Sequence, residues 1–273
     1  MVSLPFSDHC EPLVHSPEEF QYLLSSLERD LEKQNWKYIE IRPLNSLVRC
    51  QSSLEKTQVF YFHKLDLRPS LDKLFHSFHK DCVQRKIRRA EREALTYEEG
   101  RSESLLNKFY CLLLLTRRRQ QLPPHPLDWF RNLIDCLGEK LQIRVASKGD
   151  RPVASILTLS HKGSLVYKYG CSDASFNNLG GTALLFWKTI QEAKDRGVHE
   201  FDLGRSDCDN AGLVTFKDRW GATRSMLTYS RYPAQPSQNV HGDWKMRIAK
   251  QMFARMPDGF LTVAGKLLYR HIG

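Results

Sequence analysis

The sequence predicts an α/β (α+β) fold with an antiparallel sheet at its centre and helices packed against it. Three short apolar segments joined by tight turns run from Leu141 to Gly170 and are typical of a β-meander. A strongly helical stretch, Thr182–Arg196, follows a glycine-bearing loop and ends at Gly197. A strand, a short helix and a last strand come next, so the sheet is expected to continue beyond the meander.

The N-terminal region predicts a β-α-β unit, in which the short apolar run Val2–Phe6 and the strand Tyr38–Ile41 flank a helix. Ser16-Pro17-Glu18-Glu19 offers a cap residue, a proline at the first helical position and acids in the first turn. Apolar residues then recur at helical spacing from Phe20 to Leu31. The other elements predicted in this region are the strand Thr57–Leu67 and the helices Leu71–Phe78 and Lys80–Leu95.

The predicted helix Lys80–Leu95 is strongly basic. Its basic residues are Lys80, Arg85, Lys86, Arg88, Arg89 and Arg92. One interpretation is a solvated helix face that pairs in part with Glu91 and Glu93. The other is a surface that docks an anion, in which Arg85, Arg88 and Arg89 bind the substrate.

The region after residue 100 supplies the remaining elements. The predicted helices are Glu103–Arg118, Leu127–Leu137, Thr182–Arg196 and Leu213–Trp220. The predicted strands are Leu141–Ala146, Val153–Ser160, Leu165–Gly170, His199–Leu203 and one around Met226–Ser230. Pro233–His241 is interpreted as a linker. Trp244–His271 predicts one or two amphipathic helices, which either pack on the domain or contact a membrane surface or a partner.

Composition narrows the classes of function. The 273 residues include 41 Lys and Arg against 31 Asp and Glu, and this surplus favours anionic partners such as nucleotides, coenzyme phosphates, RNA or anionic lipid. The longest aliphatic run, Cys111–Leu115, is too short for a transmembrane helix. No secretory signal is recognisable, so the cytoplasm, including the inner face of the membrane, is the expected location. The cysteine and histidine spacings predict neither disulfides nor a metal site.

The segment Glu200–Ala222 predicts a ligand site. Its strand is expected to end at Gly204 and to release charged side chains into a crevice, where α/β sheets tend to bind ligands. Asp202, Asp207 and Asp209 lie near that strand end, and one of them can accept a proton from an ammonium group. Asp207 is the first choice because it lies just past the break at Gly204. The structural alternative is that Asp209-Asn210, or Asp207, caps the helix that begins near Leu213.

Two cationic side chains in the same segment complement these acids. Arg205 offers a planar guanidinium for a phosphate or a carboxylate. Lys217 offers a mobile charge for a developing oxyanion or an acyl donor, with a solvated surface position as the alternative. The remaining substrate-binding candidates are Tyr169 and Trp220, and a core position is the alternative for Trp220.

Three segments carry a resemblance to a known family. They are SLPFSDHCEPL at Ser3–Leu13, HKDCVQRKIRRAEREAL at His79–Leu95, and FDLGRSDCDNAGLVTFKDRWGA at Phe201–Ala222. With these segments the chain resembles the FemAB-like, GNAT-fold acyltransferases, which include the Fem-type peptidoglycan aminoacyltransferases and proteins found with exopolysaccharide and protein-sorting systems. The order of predicted elements after residue 100 is also that of the GNAT fold.

The resemblance implies a chain built from two GNAT-like halves. The first half corresponds to residues 1–100 and carries the basic helix, the second is the acyltransferase domain at 101–232, and an amphipathic helical tail occupies 233–273. Family members usually carry additional residues ahead of the S-L-P-F-S-D segment. The first half is therefore expected to be incomplete, or the start to lie inside a longer reading frame.

The resemblance also implies an activity. It predicts an N-acyltransferase that transfers an acetyl or aminoacyl group to an amine of a cell-envelope or exopolysaccharide precursor. The donor is either acyl-CoA, such as acetyl-CoA, or aminoacyl-tRNA. Fem-type enzymes associate a lysine in a G-L-x-x-F-K segment with the transfer step, and this role carries over to Lys217.

A coenzyme A donor requires a phosphate site. The GNAT loop that binds the pyrophosphate is matched here by the segment from Asn178 to Ala183, except for Asn at the first position. Asn178, Gly180, Gly181 and Thr182 are thus the cofactor-binding candidates, because the N-terminus of a helix attracts phosphate. The alternative is an ordinary loop entering a capped helix.

A different class of function stays open. A GNAT-like module without catalysis can grip a polyanionic sugar-lipid or RNA through the basic helix. In that case Lys217 and Asp207 are dispensable, whereas Arg85, Arg88 and Arg89 are required.

Overall fold

A computed structural model describes residues 1–44, 54–233, 252–253 and 256–269. Its strands are β1 (Ile39–Ile41), β2 (Glu55–Asp66), β3 (Thr96–Gly100), β4 (Leu141–Lys148), β5 (Arg151–His161), β6 (Ser164–Ser172), β7 (Glu200–Asp207) and β8 (Thr223–Tyr232). Its helices are α1 (Pro17–Lys33), α2 (Leu71–Ser77), α3 (Arg85–Arg92), α4 (Glu103–Arg119), α5 (Leu127–Leu137), α6 (Gly181–Asp195), α7 (Ala211–Asp218) and α8 (Asp258–Leu268). A π-helical turn, Lys80–Gln84, leads into α3, and a 3-10 turn, Ala174–Leu179, leads into α6.

The eight strands form one mixed sheet in the order β1-β8-β2-β7-β6-β5-β4-β3. Seven elements in chain order, from β4 through β5, β6, α6, β7 and α7 to β8, confirm the predicted meander and the predicted continuation of the sheet. Among the described strands, only β6 and β7 pair in parallel. The fold is therefore the α/β arrangement that the sequence predicts.

Helices cover both faces of the sheet. On β5, Ile156 packs in the core with α6, whereas its neighbour Leu157 packs in the core with α4. Successive side chains on a strand point to opposite faces, so α6 and α4 lie on opposite sides of the sheet. Helix α7 contributes Phe216 to the α6 side.

The parallel pair β6 and β7 opens after three positions. Its pairing runs from Ser164 opposite Glu200 to Val166 opposite Asp202, and then the strands diverge. We call the gap beyond Val166 and Asp202 the splay. It lies where neighbouring parallel strands part, which is the kind of crevice in which α/β sheets bind ligands.

Strand β7 corrects one prediction, since it does not end at Gly204. Gly204 adopts a φ of 74°, which glycine tolerates, and forms a bulge opposite the shift in register at His63 of β2. Pairing with β2 then continues to Asp207 opposite Phe60. The crevice is thus created by the divergence of β6 from β7 and not by an early strand end.

Other differences concern the first half and the tail. Strand β3 is absent from the predicted elements, and the helix predicted at Lys80–Leu95 is divided into a π-helical turn and α3. Strands β1 and β2 join the same sheet as the C-terminal strands, and β2 lies between β7 and β8. Helix α8 confirms a helix in the tail, while residues 234–251, with most of the predicted linker, lie outside the described residues.

Candidate active site

Lys217 reaches the splay from the last turn of α7. Its side chain is only 2% exposed, and Nζ donates hydrogen bonds to the carbonyl oxygens of Gly204 at 2.9 Å and Arg205 at 2.7 Å. Burial lowers the pKa of Lys217 to about 8, although the nearby carboxylates of Asp8 and Asp202 act in the opposite direction. The structure therefore holds a buried ammonium group whose charge is sensitive to pH near neutrality.

Asp202 provides a buried carboxylate in the same place. Its Oδ1 accepts a hydrogen bond from the Gly204 N–H at 2.6 Å, and its Oδ2 lies 2.9 Å from His9 Nε2. Because an ionised carboxylate only accepts, His9 Nε2 carries the proton in this contact. The His9 ring packs edge-on against Phe62, with centroids 5.1 Å apart. The acid and the imidazole form an oriented His–Asp pair.

Asp8 connects the N-terminal segment to β7 at the splay. Asp8 Oδ2 accepts the Arg205 N–H at 3.0 Å, and its Oδ1 lies 3.7 Å from Arg205 Nε. Arg205 Nη1 donates to Tyr229 Oη at 2.7 Å, and Tyr229 Oη donates to the Asp8 carbonyl oxygen at 2.6 Å. The first of the three family-like segments, S-L-P-F-S-D-H-C, thus contributes two side chains to the site.

A second, half-buried lysine, Lys168, completes the group. It lies at a bulge of β6, and its ammonium donates to the Phe6 carbonyl oxygen. Burial lowers the pKa of Lys168, and Asp8 and Asp202 oppose this shift. We call the side chains gathered at the splay the ionic cluster: Asp8, His9, Lys168, Asp202, Arg205 and Lys217.

A cavity of about 590 Å³ adjoins the ionic cluster on the α4 side. Five cations and two carboxylates line it: Arg42, Arg117, Lys168, Arg205 and Arg231, with Asp8 and Glu40. Tyr38, Tyr169 and Tyr229 add aromatic surface. We call this space the cationic cavity, and its excess of positive charge suits an anionic ligand.

Some polar atoms around the cationic cavity lack protein partners. Both ring nitrogens of the buried His125 and the Nε of Arg117 make no hydrogen bond. Burial lowers the pKa of His125 to about 4, so the imidazole is neutral at pH 7. The ring stacks on Tyr269 with centroids 3.8 Å apart. Unpaired buried polar groups are rare in folded proteins, and a ligand with hydroxyl or anionic oxygens would satisfy these.

A smaller cavity, of about 260 Å³, lies on the opposite side of the sheet at the N-terminus of α6. Gly180, Gly181 and Thr182 line it together with Lys86 and Arg219. No side chain caps α6, so its first N–H groups are available to an acceptor. Trp220 also lines this space, and its indole Nε1 has no hydrogen-bond partner. We call it the α6 cavity.

The close approach of α3 shapes the α6 cavity. A Cβ on Gly180, whose φ is 82°, would stand 2.2 Å from the Lys86 carbonyl oxygen. The glycine at this position therefore serves helix packing as well as the loop conformation. Asn178, the first residue of the predicted loop, does not line the cavity.

The predicted arginines of α3 lie elsewhere. Arg85 pairs with Asp81 at 3.1 Å, Arg89 pairs with Glu93 at 2.6 Å, and the Arg88 guanidinium lies over the Phe75 ring. None of the three lines the α6 cavity, whereas Lys86 does. The ion pairs agree with the interpretation of a solvated helix face.

The predicted acids are also separated by the structure. Asp202 belongs to the ionic cluster, whereas Asp207 is exposed at the end of β7. Asn210 caps α7, since its Oδ1 accepts the Leu213 N–H at 3.1 Å. Tyr169 lines the cationic cavity, and Trp220 combines a core position with a place at the α6 cavity.

Several residues of the site are not among the candidates predicted from the sequence. Asp8 and His9 lie in a family-like segment, which is a signal, but their distance along the chain from Asp202 conceals the contact. Lys168 gives no signal, because only the bulge turns it toward the ionic cluster. Within the described ranges, no group of three or more His, Cys, Asp or Glu residues could hold a metal ion, and no helix is long and apolar enough to cross a membrane.

Comparison with known proteins identifies the family. A family model described as "Acetyltransferase (GNAT) domain" matches residues 78–218, just over half of the chain. The chain belongs to the GNAT acetyltransferase family. It is therefore an acyltransferase, as the resemblance implied. No curated protein matches it in sequence.

Three solved structures have a similar fold. FemX is 14% identical, with a TM-score of 0.63, over 85% of this chain and 79% of its own. L-PGS from Bacillus licheniformis is 13% identical, with a TM-score of 0.56, over 85% of this chain and 78% of its own. A GCN5-related N-acetyltransferase from Sphaerobacter thermophilus is 13% identical, with a TM-score of 0.50, over 81% and 69%. At these identities the likeness concerns the fold, and it supports the FemAB-like resemblance at that level.

Proposed function

We propose that this protein is an N-acyltransferase that joins its two substrates at the splay. The observation that carries the proposal is the buried Lys217 ammonium beside the His9–Asp202 pair. Amide formation needs an uncharged amine, a place for its proton and stabilisation of the oxyanion. The ionic cluster offers a group for each requirement.

The proposed step forms one bond and breaks another at the acyl carbon. The amine nitrogen of the acceptor attacks the acyl carbonyl carbon, and the bond from that carbon to the donor's sulfur or oxygen breaks. The amine's proton passes to the His9–Asp202 pair, and the pair returns it to the leaving thiolate or alkoxide. Lys217 stabilises the oxyanion, an interaction that is typically worth about 10²–10³ in kcat. The proton acceptor contributes about 10²–10⁴.

We assign the acceptor to the cationic cavity. Its net positive lining suits an amine that also carries a phosphate or a carboxylate, as a cell-envelope or exopolysaccharide precursor does. One structural neighbour is by name a synthetase of lysylphosphatidylglycerol, an aminoacylated molecule with a phosphate. That name supports a phosphate-bearing acceptor for this chain without identifying it.

We assign the donor to the α6 cavity. The uncapped N-terminus of α6, Lys86 and Arg219 together favour a phosphate there. Both predicted donors, acyl-CoA and aminoacyl-tRNA, carry phosphates. The family match favours acyl-CoA.

Helix α8 in the tail supports the predicted contact with a membrane surface. Helix α8 leaves Phe260, Val263 and Leu267 exposed on one side. We propose that this apolar stripe contacts a membrane surface, which would bring a membrane-bound acceptor near the protein.

A transfer assay tests the proposed function. Purified protein is offered acetyl-CoA or aminoacyl-tRNA together with amino-sugar phosphates and phosphate-bearing lipids with a free amine, and amide product is measured. Lys217→Met is expected to lower kcat by about 10²–10³. Lys188→Met, an exposed lysine on α6, is the matched control and should retain activity.

Three results would count against this proposal. Absence of transfer with every donor, combined with saturable binding of polyanions that is lost when Arg85, Arg88 and Arg89 are changed to Glu, would favour the non-catalytic module. An equal loss in Lys217→Met and Lys188→Met would remove the role of Lys217. Equal rates of transfer to acceptors with and without an anionic group would contradict the role of the cationic cavity.

A further inference from the structure

His63 is a fully buried histidine that the proposed reaction does not use. It lies on β2, with 0% exposure, opposite Gly204 of β7 and Arg224 of β8. Its Nδ1 is buried and has no hydrogen-bond partner. A buried imidazole with an unpaired nitrogen is unfavourable unless the surrounding structure requires it.

The contacts of His63 bracket Lys217. Its register partner Gly204 supplies one of the two carbonyl oxygens that hold the Lys217 ammonium. Its Nε2 lies 3.2 Å from Oδ1 of Asp218, the residue next to Lys217 on α7. Both ends of the Lys217 side chain, the backbone and the ammonium, are therefore fixed relative to His63.

The surroundings keep this imidazole uncharged. The Asp218 carboxylate accepts the hydrogen bond, so Nε2 carries the proton and Nδ1 does not. Burial is the main cause that lowers the pKa of His63, the charge of Lys217 adds to it, and Asp218 opposes it. The other charged groups nearby are Arg224 on β8, close to Asp218, and the Asp8 and Asp202 carboxylates that face Lys217.

We propose that His63 is a positioning residue for Lys217: its neutral imidazole clamps Asp218 to β2 and so keeps the Lys217 ammonium turned into the splay. The part that concerns catalysis rests on the proposed function. A proton on Nδ1 would place a second buried cation near Lys217 without an acceptor for the new N–H. Lys217 would then leave its two carbonyl partners.

Profiles of kcat against pH separate this role from simple packing. In His63→Gln the amide nitrogen can still donate to Asp218, but the group does not titrate. This variant should keep most of kcat near pH 7. At lower pH its kcat should decrease less than that of the wild type, because residue 63 no longer takes up a proton. His63→Leu should lower kcat by about tenfold or more with a smaller change in KM, because Lys217 is misplaced. Its base limb should move above the value of about 8 set by buried Lys217.

Two results would overturn the proposal. One is a His63→Leu enzyme with the kcat and base limb of the wild type. The other is a His63→Gln enzyme as damaged as His63→Leu. If His63→Leu does not fold, Asp218→Ala removes the same contact from a side chain that is 36% exposed. An unchanged base limb in Asp218→Ala would then overturn the proposal.

Stability measurements keep the test independent of activity. Because the pKa of folded His63 lies below its unfolded value, acidification from about pH 7 to about pH 5 should reduce the free energy of unfolding more in the wild type than in His63→Gln. At alkaline pH the free energy of unfolding reports the titration of Lys217 in the same way. This titration should differ between the wild type and His63→Leu. If the wild type transfers no acyl group, the proposed function fails, yet unequal titration of Lys217 would still support the positioning role and equal titration would refute it.

Discussion

At the scale of residues, two acids on the same strand have different surroundings. Asp202 is 4% exposed, and both of its oxygens are engaged, one by a backbone N–H and the other by His9. Asp207 lies at the exposed end of β7. The bulge at Gly204 lies between them, so counting residues from that glycine does not reveal which acid faces the ionic cluster.

Exchange of each acid for its amide tests this difference. Asp202→Asn keeps an oxygen for the Gly204 N–H but removes the charge beside His9 and Lys217, so kcat should fall by about 10²–10⁴. Asp207→Asn is the matched control and should keep the wild-type rate. Equal losses of kcat in the two variants would contradict the assignment of the proton acceptor to the His9–Asp202 pair.

The charge of Lys217 gives a second prediction. The pKa of Lys217 is lowered to about 8 by burial, so the ammonium is present below that pH and is lost above it. If the cation stabilises the oxyanion, kcat should decrease as the pH rises through about 8. The profile of kcat against pH measures this, with the acceptor amine kept saturating. A rate that stays level up to about pH 10, where ordinary lysines titrate, would contradict a buried catalytic ammonium.

At the scale of elements, the packing of α3 on α6 depends on Gly180. Its positive φ and the Lys86 carbonyl oxygen leave no room for a side chain. The same glycine is the N-cap residue of α6 and borders the α6 cavity. Helix packing and the proposed donor site are thus joined at one residue.

Two glycine substitutions separate backbone strain from contact. Gly197→Ala introduces only the strain of a positive φ, since nothing lies within 4 Å of the added Cβ, and should cost about 1 kcal/mol. Gly180→Ala adds the clash with Lys86 and should lower the free energy of unfolding by a further ~1–3 kcal/mol. It should also weaken donor binding. Chemical denaturation and donor titration measure both effects, and equal values for the two variants would show that α3 adapts freely.

Elements with strong local signals are predicted well. The Ser16 cap of α1 and the helical repeat of α6 carry their own evidence in neighbouring residues. Strand β3 is missed because Thr96–Gly100 contains two glutamates and little apolar pattern, and its pairing with β4 is what makes it a strand. The bulges at Gly204 and near Lys168 depend on partner strands in the same way.

At the scale of the whole molecule, the sheet joins both predicted halves. Strand β2 pairs with β7 on one side and β8 on the other. The ionic cluster likewise combines Asp8 and His9 with residues of β6, β7 and α7. No pattern within one stretch of sequence could reveal these contacts, which explains why Asp202, Arg205 and Lys217 are among the predicted candidates whereas Asp8, His9 and Lys168 are not.

The position of β2 between β7 and β8 predicts that the C-terminal part of the chain does not fold alone. A fragment of residues 78–273 lacks β2, so β7 and β8 would present unpaired edges, and the fragment should aggregate. Co-expression with residues 1–77 should restore a soluble complex. Circular dichroism and size-exclusion chromatography of the two preparations measure the difference. A fragment 78–273 that unfolds cooperatively alone would instead support two independent domains.

The two cavities lie on opposite sides of the sheet, and this affects how the proposed substrates would enter and leave. Under the proposed assignment, a donor that binds beside α6 would leave the cationic cavity open to the acceptor. The spent carrier could then leave from the α6 cavity while the new amide is still bound in the cationic cavity. Under that assignment a fresh donor could bind before the product departs, so release of the spent carrier and release of the amide would be independent steps.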